Sequence, residues 1–192
     1  MSKREQQRLE RREQILNCSL DLIISRGFEA TKIRDIADKL QISTGLFFNY
    51  FESKEKVFEE LIKIGVSGPA SVLKFNVDGI DPIELFEKMT QTIFESLKTY
   101  SITAKMFVLM GRTVHSESAP ESVKALLTHF DAFTPIISVI IRGQKLGEIK
   151  EGNPAALAVA YWGAVQGVAE SYALMPSMPI PESSWIVDIL RT

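Results

Sequence analysis

The residues best suited to recognise a ligand lie at 47–51, where the run FFNYF places four aromatic rings around one asparagine. A short helix cannot bury all four rings on one side. Phe47 and Phe51 are four residues apart, so they share one helical face and are expected to anchor the segment in a core. The remaining surface would be formed by Thr44, Gly45, Leu46, Phe48, Asn49 and Tyr50. Such a helix can lie in the major groove of DNA. The alternative is an ordinary three-helix core with no role in DNA binding.

The chain offers no arrangement of residues that is typical of catalysis. His115 and His129 are isolated in the sequence, and Cys18 has no histidine nearby. The run GQKLGE at 143–148 lacks the Lys-Ser or Lys-Thr pair of a phosphate-binding loop. We therefore expect a protein that is not an enzyme and that has neither a cofactor nor a metal site.

The composition is that of a soluble, packed protein. Of its 192 residues, 45% are hydrophobic and 24% are charged. Cys18 is the only cysteine, so an internal disulfide is impossible, and its thiol is expected to fill a small space in the core. The run MSKREQQRLERREQ at the start is polar, and no apolar segment of a secretory signal follows it. We therefore expect a cytoplasmic location.

Positive charge is concentrated at the beginning of the chain, although the whole chain has a formal net charge of −2. Residues 1–12 contain five basic and two acidic residues, a net charge of +3. The basic ones are Lys3, Arg4, Arg8, Arg11 and Arg12. This segment is either the solvated first part of a helix or a basic arm that contacts phosphates. The second interpretation requires that a neighbouring surface bind nucleic acid.

Apolar residues recur at intervals of three and four along nearly the whole chain, which predicts an all-α protein of about nine helices. The first helix is predicted at Lys3–Ser25 and is ended by Gly27. Three shorter helices are predicted to begin after Thr31, Ser43 and Ser53, because Ser and Thr side chains accept hydrogen bonds from the free N–H groups of a first turn.

The second half of the chain is also predicted to be helical. Asp81 followed by Pro82 is a strong helix start. One long helix is predicted at 120–140, kinked at Pro135, with a turn after it at 142–154. Further helices are predicted at 102–114, 154–175 and 183–190.

The segment 154–175 is apolar on nearly all sides, with Glu170 as its only charged residue. Such helices are buried on most sides. One narrow face contains only small residues, which let another helix come close, and these are Ala156, Ala160, Gly163 and Gly167. A second face suits a core, and a third carries Trp162 and Gln166. The length would also suit a membrane span, but the segment is only mildly hydrophobic, so packing against a partner subunit is the preferred interpretation.

The run ATKIRDIADKLQISTGLFFNYFESKEKVFEELI, residues 30–62, resembles the DNA-binding domain of the TetR/AcrR family of transcriptional regulators. The shared features are a Thr that opens the second helix, Ile-Ala in its middle, a Ser-x-Gly turn, an aromatic run that ends the recognition helix, and Ser-Lys-Glu at the next start. Two positions depart from the family. Phe48 stands where a tyrosine is usual, and Gln41 stands at a turn position that is commonly glycine. Gln41 would cost of order 1 kcal/mol if its φ is positive.

The resemblance implies two groups of DNA contacts. The residues expected to face base edges are Thr44, Gly45, Leu46 and Asn49. Those expected to contact phosphates are Thr31, Tyr50 and Lys54. Phe48 lacks a hydroxyl group but could press on a thymine methyl group. The complete predicted set is Thr31, Lys32, Arg34, Ser43, Thr44, Gly45, Leu46, Phe48, Asn49, Tyr50 and Lys54.

The resemblance also implies how the chain is organised. A helix-turn-helix DNA-binding domain is expected at 1–52, a connecting helix at 53–66, and a helical ligand-binding and dimerisation domain at 67–192. The boundary falls at 67–79, which is rich in helix breakers. The expected dimer interface comprises Phe130, Ile137, Ala156, Ala160, Gly163 and Gly167. The expected ligand pocket comprises Met89, Phe94, Met106, Met110, Trp162 and Gln166.

The sequence thus predicts a ligand-responsive transcriptional regulator, a repressor that a small molecule releases from its operator. The expected partners are double-stranded DNA, an unidentified small-molecule effector of neutral or amphipathic character, and a second copy of the chain, with no membrane. The alternative is a helical ligand-binding or scaffolding protein without affinity for DNA.

Overall fold

The structure, a computed structural model of the chain, describes residues 2–72, 79–128, 130–131 and 133–192, with the backbone alone at 69–72. Within these ranges the chain forms ten α-helices and no β-strand, which confirms the predicted all-α class with one helix more than expected. The helices are α1 (Lys3–Arg26), α2 (Ile33–Leu40), α3 (Thr44–Phe48), α4 (Lys54–Val72), α5 (Pro82–Thr99), α6 (Ser101–Thr113), α7 (Glu121–Leu127), α8 (Thr134–Leu146), α9 (Pro154–Leu174) and α10 (Ser183–Val187).

The helices belong to two compact units. The first comprises residues 1–65 and 108–128, so it contains α1 to α3, the first part of α4, the end of α6, and α7. The second comprises residues 66–107 and 129–192 and contains α5, α8, α9 and α10. The predicted boundary at 67–79 is helical as far as Val72, and its residues 73–78 lie outside the described part of the chain.

Both ends of α1 agree with the prediction. The Glu5 amide donates to the Ser2 hydroxyl at 3.3 Å, and the Ser2 amide donates to the Glu5 carboxylate at 2.6 Å, which closes a capping box. Gly27 ends the helix at a φ of 88°, where glycine is favoured. Cys18 is buried as expected, and burial raises the pKa of its thiol. The predicted inner stripe is buried throughout and comprises Ile15, Leu16, Ser19, Leu20 and Ile23.

The start of α2 differs from the prediction. Thr31 does not cap this helix, because its hydroxyl donates to the Gly27 carbonyl at 2.8 Å and its side chain is fully buried. The helix begins at Ile33. The Lys32 amide donates to the Asp35 carboxylate at 3.0 Å, so an acidic side chain from within the first turn replaces the predicted threonine hydroxyl.

The helix predicted at 120–140 is two helices, α7 and α8, separated at 128–133. Pro135 stands in the first turn of α8, where its missing N–H group has no helical partner to lose. Asp131 holds this start, because one of its carboxylate oxygens accepts hydrogen bonds from two backbone amides, both at 2.9 Å. The predicted kink was therefore wrong, since an aspartate before the proline opens a new helix. α8 also continues into the turn predicted at 142–154.

The core of the second unit is built on α5 and α9. Asp81 caps α5 as predicted, because its carboxylate accepts from two first-turn amides at 2.8 and 3.1 Å. In the core the hydroxyls of Thr90 and Tyr161 share a hydrogen bond of 2.8 Å, and the Phe86 ring lies edge-on to the Tyr161 ring with centroids 4.7 Å apart. Burial raises the pKa of Tyr161 to about 12, although the hydrogen bond with Thr90 opposes this shift.

One side of α9 is buried and the opposite side is exposed. Tyr161 and Val165 lie on the buried side, as predicted for the core face. The exposed residues, none of which is charged, are Ala155, Ala156, Val159, Ala160, Gly163, Gly167, Ser171 and Leu174. In the part of the chain that the structure describes, no helix combines the length and the apolar character that crossing a membrane requires.

Candidate nucleic-acid interface

The helix α3 carries the residues predicted to read DNA. Ser43 caps it as predicted, because the Leu46 amide donates to the Ser43 hydroxyl at 3.0 Å. Phe47 is fully buried and Phe51 nearly so, and their ring centroids are 6.1 Å apart. These two residues are therefore the anchors that their spacing predicts. Asn49 follows the last residue of the helix as its C-terminal cap.

The outer surface of this segment is accessible. Thr44, Gly45 and Asn49 are exposed, and 52% of Phe48 is exposed. A Cβ atom built at Gly45 would have the Ser43 hydroxyl, at 3.8 Å, as its nearest neighbour, so the backbone here is open to a close approach. The side chains of the two remaining predicted contacts in this segment, Leu46 and Tyr50, are half-buried. The face predicted to meet base edges is thus uncovered.

Gln41 sets the turn between α2 and α3. Its backbone is left-handed, with a φ of 54°, and it is the one non-glycine residue with positive φ among the described residues. Its amide donates to the Asp38 carbonyl at 3.1 Å and so ends α2. A glutamine in this conformation costs of order 1 kcal/mol, as expected from the glycine that the resemblance places at this turn.

Arg12 joins α1 to both α4 and the recognition segment, which comprises residues 44–51. Its guanidinium donates to both carboxylate oxygens of Glu60 and lies 4.8 Å from the centroid of the Phe51 ring. The sequence did not reveal this role, because Glu60 is 48 residues away and no local spacing connects the two. Arg12 is therefore a structural member of the basic N-terminal segment.

Two of the three predicted phosphate contacts are engaged within the protein. The Thr31 side chain is fully buried and its hydroxyl donates to the Gly27 carbonyl, so its contact with phosphate stays a prediction that would require this residue to be uncovered. The Lys54 ammonium donates to the Phe28 carbonyl at 2.8 Å and lies 4.0 Å from the centroid of the Phe28 ring. Phe28 in turn stacks on Phe58 with centroids 4.7 Å apart. An ammonium group has three N–H donors, so Lys54 can still donate to a phosphate while it holds the Phe28 segment.

The basic residues at the start of α2 are placed at the surface. The Arg34 side chain is 84% exposed and pairs with Asp38 at 3.7 Å, a separation at which exposed pairs are weak. Lys32 is exposed as well. Both can turn towards a phosphate at little cost, and their contact with DNA stays a prediction, as does that of Ser43.

Five of the six residues predicted to contact a ligand lie in the second unit. Met89, Phe94 and Met106 are buried, and Trp162 and Gln166 are half-buried. The Trp162 ring lies 6.1 Å from the ring of Phe107, and the Gln166 side-chain amide donates to the Phe107 carbonyl at 3.0 Å. Met110, the sixth residue, belongs to the first unit, so the structure does not group it with the others.

The residues predicted to form a dimer interface separate into two groups. Ala156, Ala160, Gly163 and Gly167 lie along the exposed side of α9. The others are half-buried: Ile137 packs against the core of the second unit, and Phe130 lies in the connection between α7 and α8 rather than within a helix. The described residues contain no cluster of three or more side chains of the types that ligate metals.

Known proteins resemble the first unit in sequence. The family model described as bacterial regulatory proteins, tetR family, matches residues 15–61, which extend from α1 into α4. The HTH-type transcriptional repressor KstR2 of Mycolicibacterium smegmatis is 38% identical over 53 residues, which cover 28% of this chain and 26% of that protein. Residues 15–61 are thus similar to the TetR family of transcriptional regulators. The chain spans only about a quarter of the length of this curated relative.

The TetR-family fold extends over nearly the whole chain. The MbdR regulator from Azoarcus sp. CIB superposes with a TM-score of 0.73 at 19% identity, over 94% of this chain and 96% of that structure. The ketosteroid transcriptional regulator KstR2 of Mycobacterium tuberculosis gives a TM-score of 0.71 at 16% identity, over 95% of each chain. Identities this low establish the fold alone. The similarity to transcription regulators agrees with the expectation that the protein is not an enzyme.

Proposed function

We propose that this protein is a cytoplasmic, homodimeric repressor of the TetR family that binds double-stranded operator DNA and is released from it by a small molecule. The observation that carries the proposal is the division of the segment 44–51 into a buried and an exposed side. Phe47 and Phe51 fix the helix from within, while Thr44, Gly45 and Asn49 stay accessible. A rigidly held helix with small and polar residues outward is what a major groove accepts.

The exposed side of α9 supports the dimer. It extends along a helix of 21 residues and contains no charged residue. A Cβ atom at Gly163 or Gly167 would meet no heavy atom within 4 Å in the protomer, so there is room for a second helix at close range. A two-fold dimer would separate its two recognition helices by about 34–36 Å, the distance between successive major grooves on one side of a duplex.

The composition of the second unit indicates the class of effector. The five proposed pocket residues in the second unit are apolar or aromatic except Gln166, whose amide donates to Glu170 at 2.6 Å as well as to Phe107. A neutral or amphipathic molecule with a polar group near Gln166 would suit this environment. A coupling free energy of about 1–3 kcal/mol between effector and DNA would change the affinity for DNA about 5- to 150-fold.

The proposal is tested by selecting duplexes from a random pool with the purified protein and measuring their binding by gel shift. Enrichment of a palindromic sequence, bound more tightly than a shuffled duplex, is the expected result. If no duplex binds in a salt-sensitive manner, the protein is a helical ligand-binding or scaffolding protein instead. Apolar compounds that raise the thermal midpoint of the protein should also weaken the selected complex if they are effectors.

A further inference from the structure

A shallow groove lies beside the recognition segment within the first unit. One wall is the first half of α1, which contributes Arg4, Arg8 and Arg11. The other wall is formed by Leu46 and Tyr50. The groove is therefore a basic surface in direct continuity with the residues proposed to read DNA.

The position of these arginines follows from helical periodicity. Residues 4, 8 and 11 recur at intervals of four and three, so they share one face of α1. Ile15 and Cys18 continue the same face and are buried in the core. Along the second half of α1 this face packs into the core. Along the first half, which lies outside the core, the same face carries the three guanidinium groups. This is why the arginines point towards the recognition segment.

The three arginines differ from Arg12 in what they contact. Arg12 is committed to Glu60 and to the Phe51 ring. The side chains of Arg4, Arg8 and Arg11 form no hydrogen bond or ion pair with any residue that the structure describes. Glu10 also lines the groove and accepts a hydrogen bond from Gln6 at 3.0 Å, but its single negative charge is outweighed by the three arginines. The groove therefore keeps a net positive charge.

The chemistry of the groove indicates its occupant. Guanidinium groups bind phosphate oxygens with two parallel hydrogen bonds. Seven residues of helix extend for about 10 Å, so Arg4 and Arg11 are spread along a line rather than converging on one small anion. A line of cations in an open groove suits successive phosphates of a nucleic-acid strand. Tyr50 and Leu46 place that strand next to the base pairs proposed to be read.

We propose that Arg4, Arg8 and Arg11 form a second DNA-contacting strip that binds backbone phosphates beside those contacted by the recognition segment. This inference rests on the proposed DNA binding and adds to it a set of contacts that are independent of sequence. The strip increases affinity and salt dependence, and it lengthens the protected site without changing the preferred bases.

The test compares the full chain with the variant Arg4→Gln/Arg8→Gln/Arg11→Gln on a duplex selected by the wild-type protein. Binding is measured at several salt concentrations. Each phosphate contact contributes about 0.9 to the slope of log affinity against log salt. The slope of the triple variant should be smaller by roughly 0.9 for each arginine in each protomer. The variant should still select the same sequence motif. Phosphate-ethylation interference should lose its signal at the flanking phosphates.

Two controls separate the possible outcomes. Lys3→Gln removes a positive charge from the same end of α1 but not from the groove, and it should retain the wild-type slope. Unchanged thermal midpoints of both variants would show that the fold is intact. The proposed strip is contradicted if the triple variant keeps the wild-type salt slope or if Lys3→Gln loses as much of the slope as the triple variant does. Neither result would contradict the proposed function. If the wild-type protein selects no duplex, the proposed function itself fails.

Discussion

Phe47 and Phe48 are neighbours in the chain with ring centroids 5.6 Å apart, yet Phe47 is fully buried while 52% of Phe48 is exposed. The two rings meet edge to face, so the buried one supports the exposed one. This relationship divides the aromatic run of the sequence into a part that holds the recognition segment and a part that is free to meet a ligand.

Truncation of these two rings should therefore have different consequences. Phe47→Ala empties a fully buried site and should lower the free energy of unfolding by about 3–5 kcal/mol. Phe48→Ala should change it by only about 0.5 kcal/mol but should weaken binding to a selected duplex. Urea denaturation and gel shift measure the two effects. Equal losses of stability would contradict the division of the run.

Replacing Gln41 should relieve its left-handed backbone. Gln41→Gly removes the strain at a φ of 54° and should stabilise the protein by up to about 0.5 kcal/mol after the entropy cost of glycine. Gln41→Ala should bring no such gain, because alanine has the same Cβ clash. Denaturation of both variants side by side provides the comparison. A gain in the alanine variant would show that the glutamine side chain, rather than the backbone, is responsible.

Lys54 should prove important for both stability and DNA binding. Lys54→Ala removes a charged hydrogen bond to the Phe28 carbonyl and a cation above the Phe28 ring. We expect a loss of about 1.5–3 kcal/mol in the free energy of unfolding and a uniform weakening on all DNA sequences. Lys32→Ala is the matched control, since it removes an exposed lysine near the same surface. Lys32→Ala should lower the affinity for DNA without lowering the free energy of unfolding. A loss of stability in Lys32→Ala equal to that in Lys54→Ala would contradict the structural role of Lys54.

The exposed side of α9 should mediate dimerisation. Gly163→Leu adds a side chain where the protomer has open space, so the protomer tolerates it but a closely packed partner helix does not. Sedimentation should show a shift from dimer to monomer. Glu151→Leu, at an exposed turn residue, controls for added hydrophobicity. An unchanged profile for the Gly163 variant would place the interface elsewhere.

Local patterns predicted the features that depend on neighbouring residues. The buried stripe of α1, its end at Gly27, the cap at Ser43 and the anchors Phe47 and Phe51 all follow from spacing and side-chain type. The resemblance marked Gln41 as a turn position that is commonly glycine and left its φ open, and the structure shows this φ to be positive. These features need no knowledge of distant contacts, because helical periodicity and first-turn hydrogen bonds are set within a few residues.

The features that the sequence did not reveal depend on distant contacts or on a choice between two local solutions. Arg12 and Glu60 are 48 residues apart, and Lys54 and Phe28 are 26 apart, so no spacing rule connects them. The Thr31 hydroxyl could either cap the helix that follows it or donate to the preceding turn. The cap was predicted, whereas the hydroxyl donates to the Gly27 carbonyl. The break between α7 and α8 depended on Asp131, whose carboxylate accepts hydrogen bonds from the amides of Phe133 and Thr134.

The central claim is that the exposed residues of the recognition segment read base edges. It is tested most directly by selecting duplexes from a random pool with the wild-type protein and with Asn49→Ala, and comparing the enriched sequences. The account predicts a palindromic motif for the wild type and an altered preference at one position of each half-site for the variant. An identical motif for both proteins, or no motif for either, would contradict it.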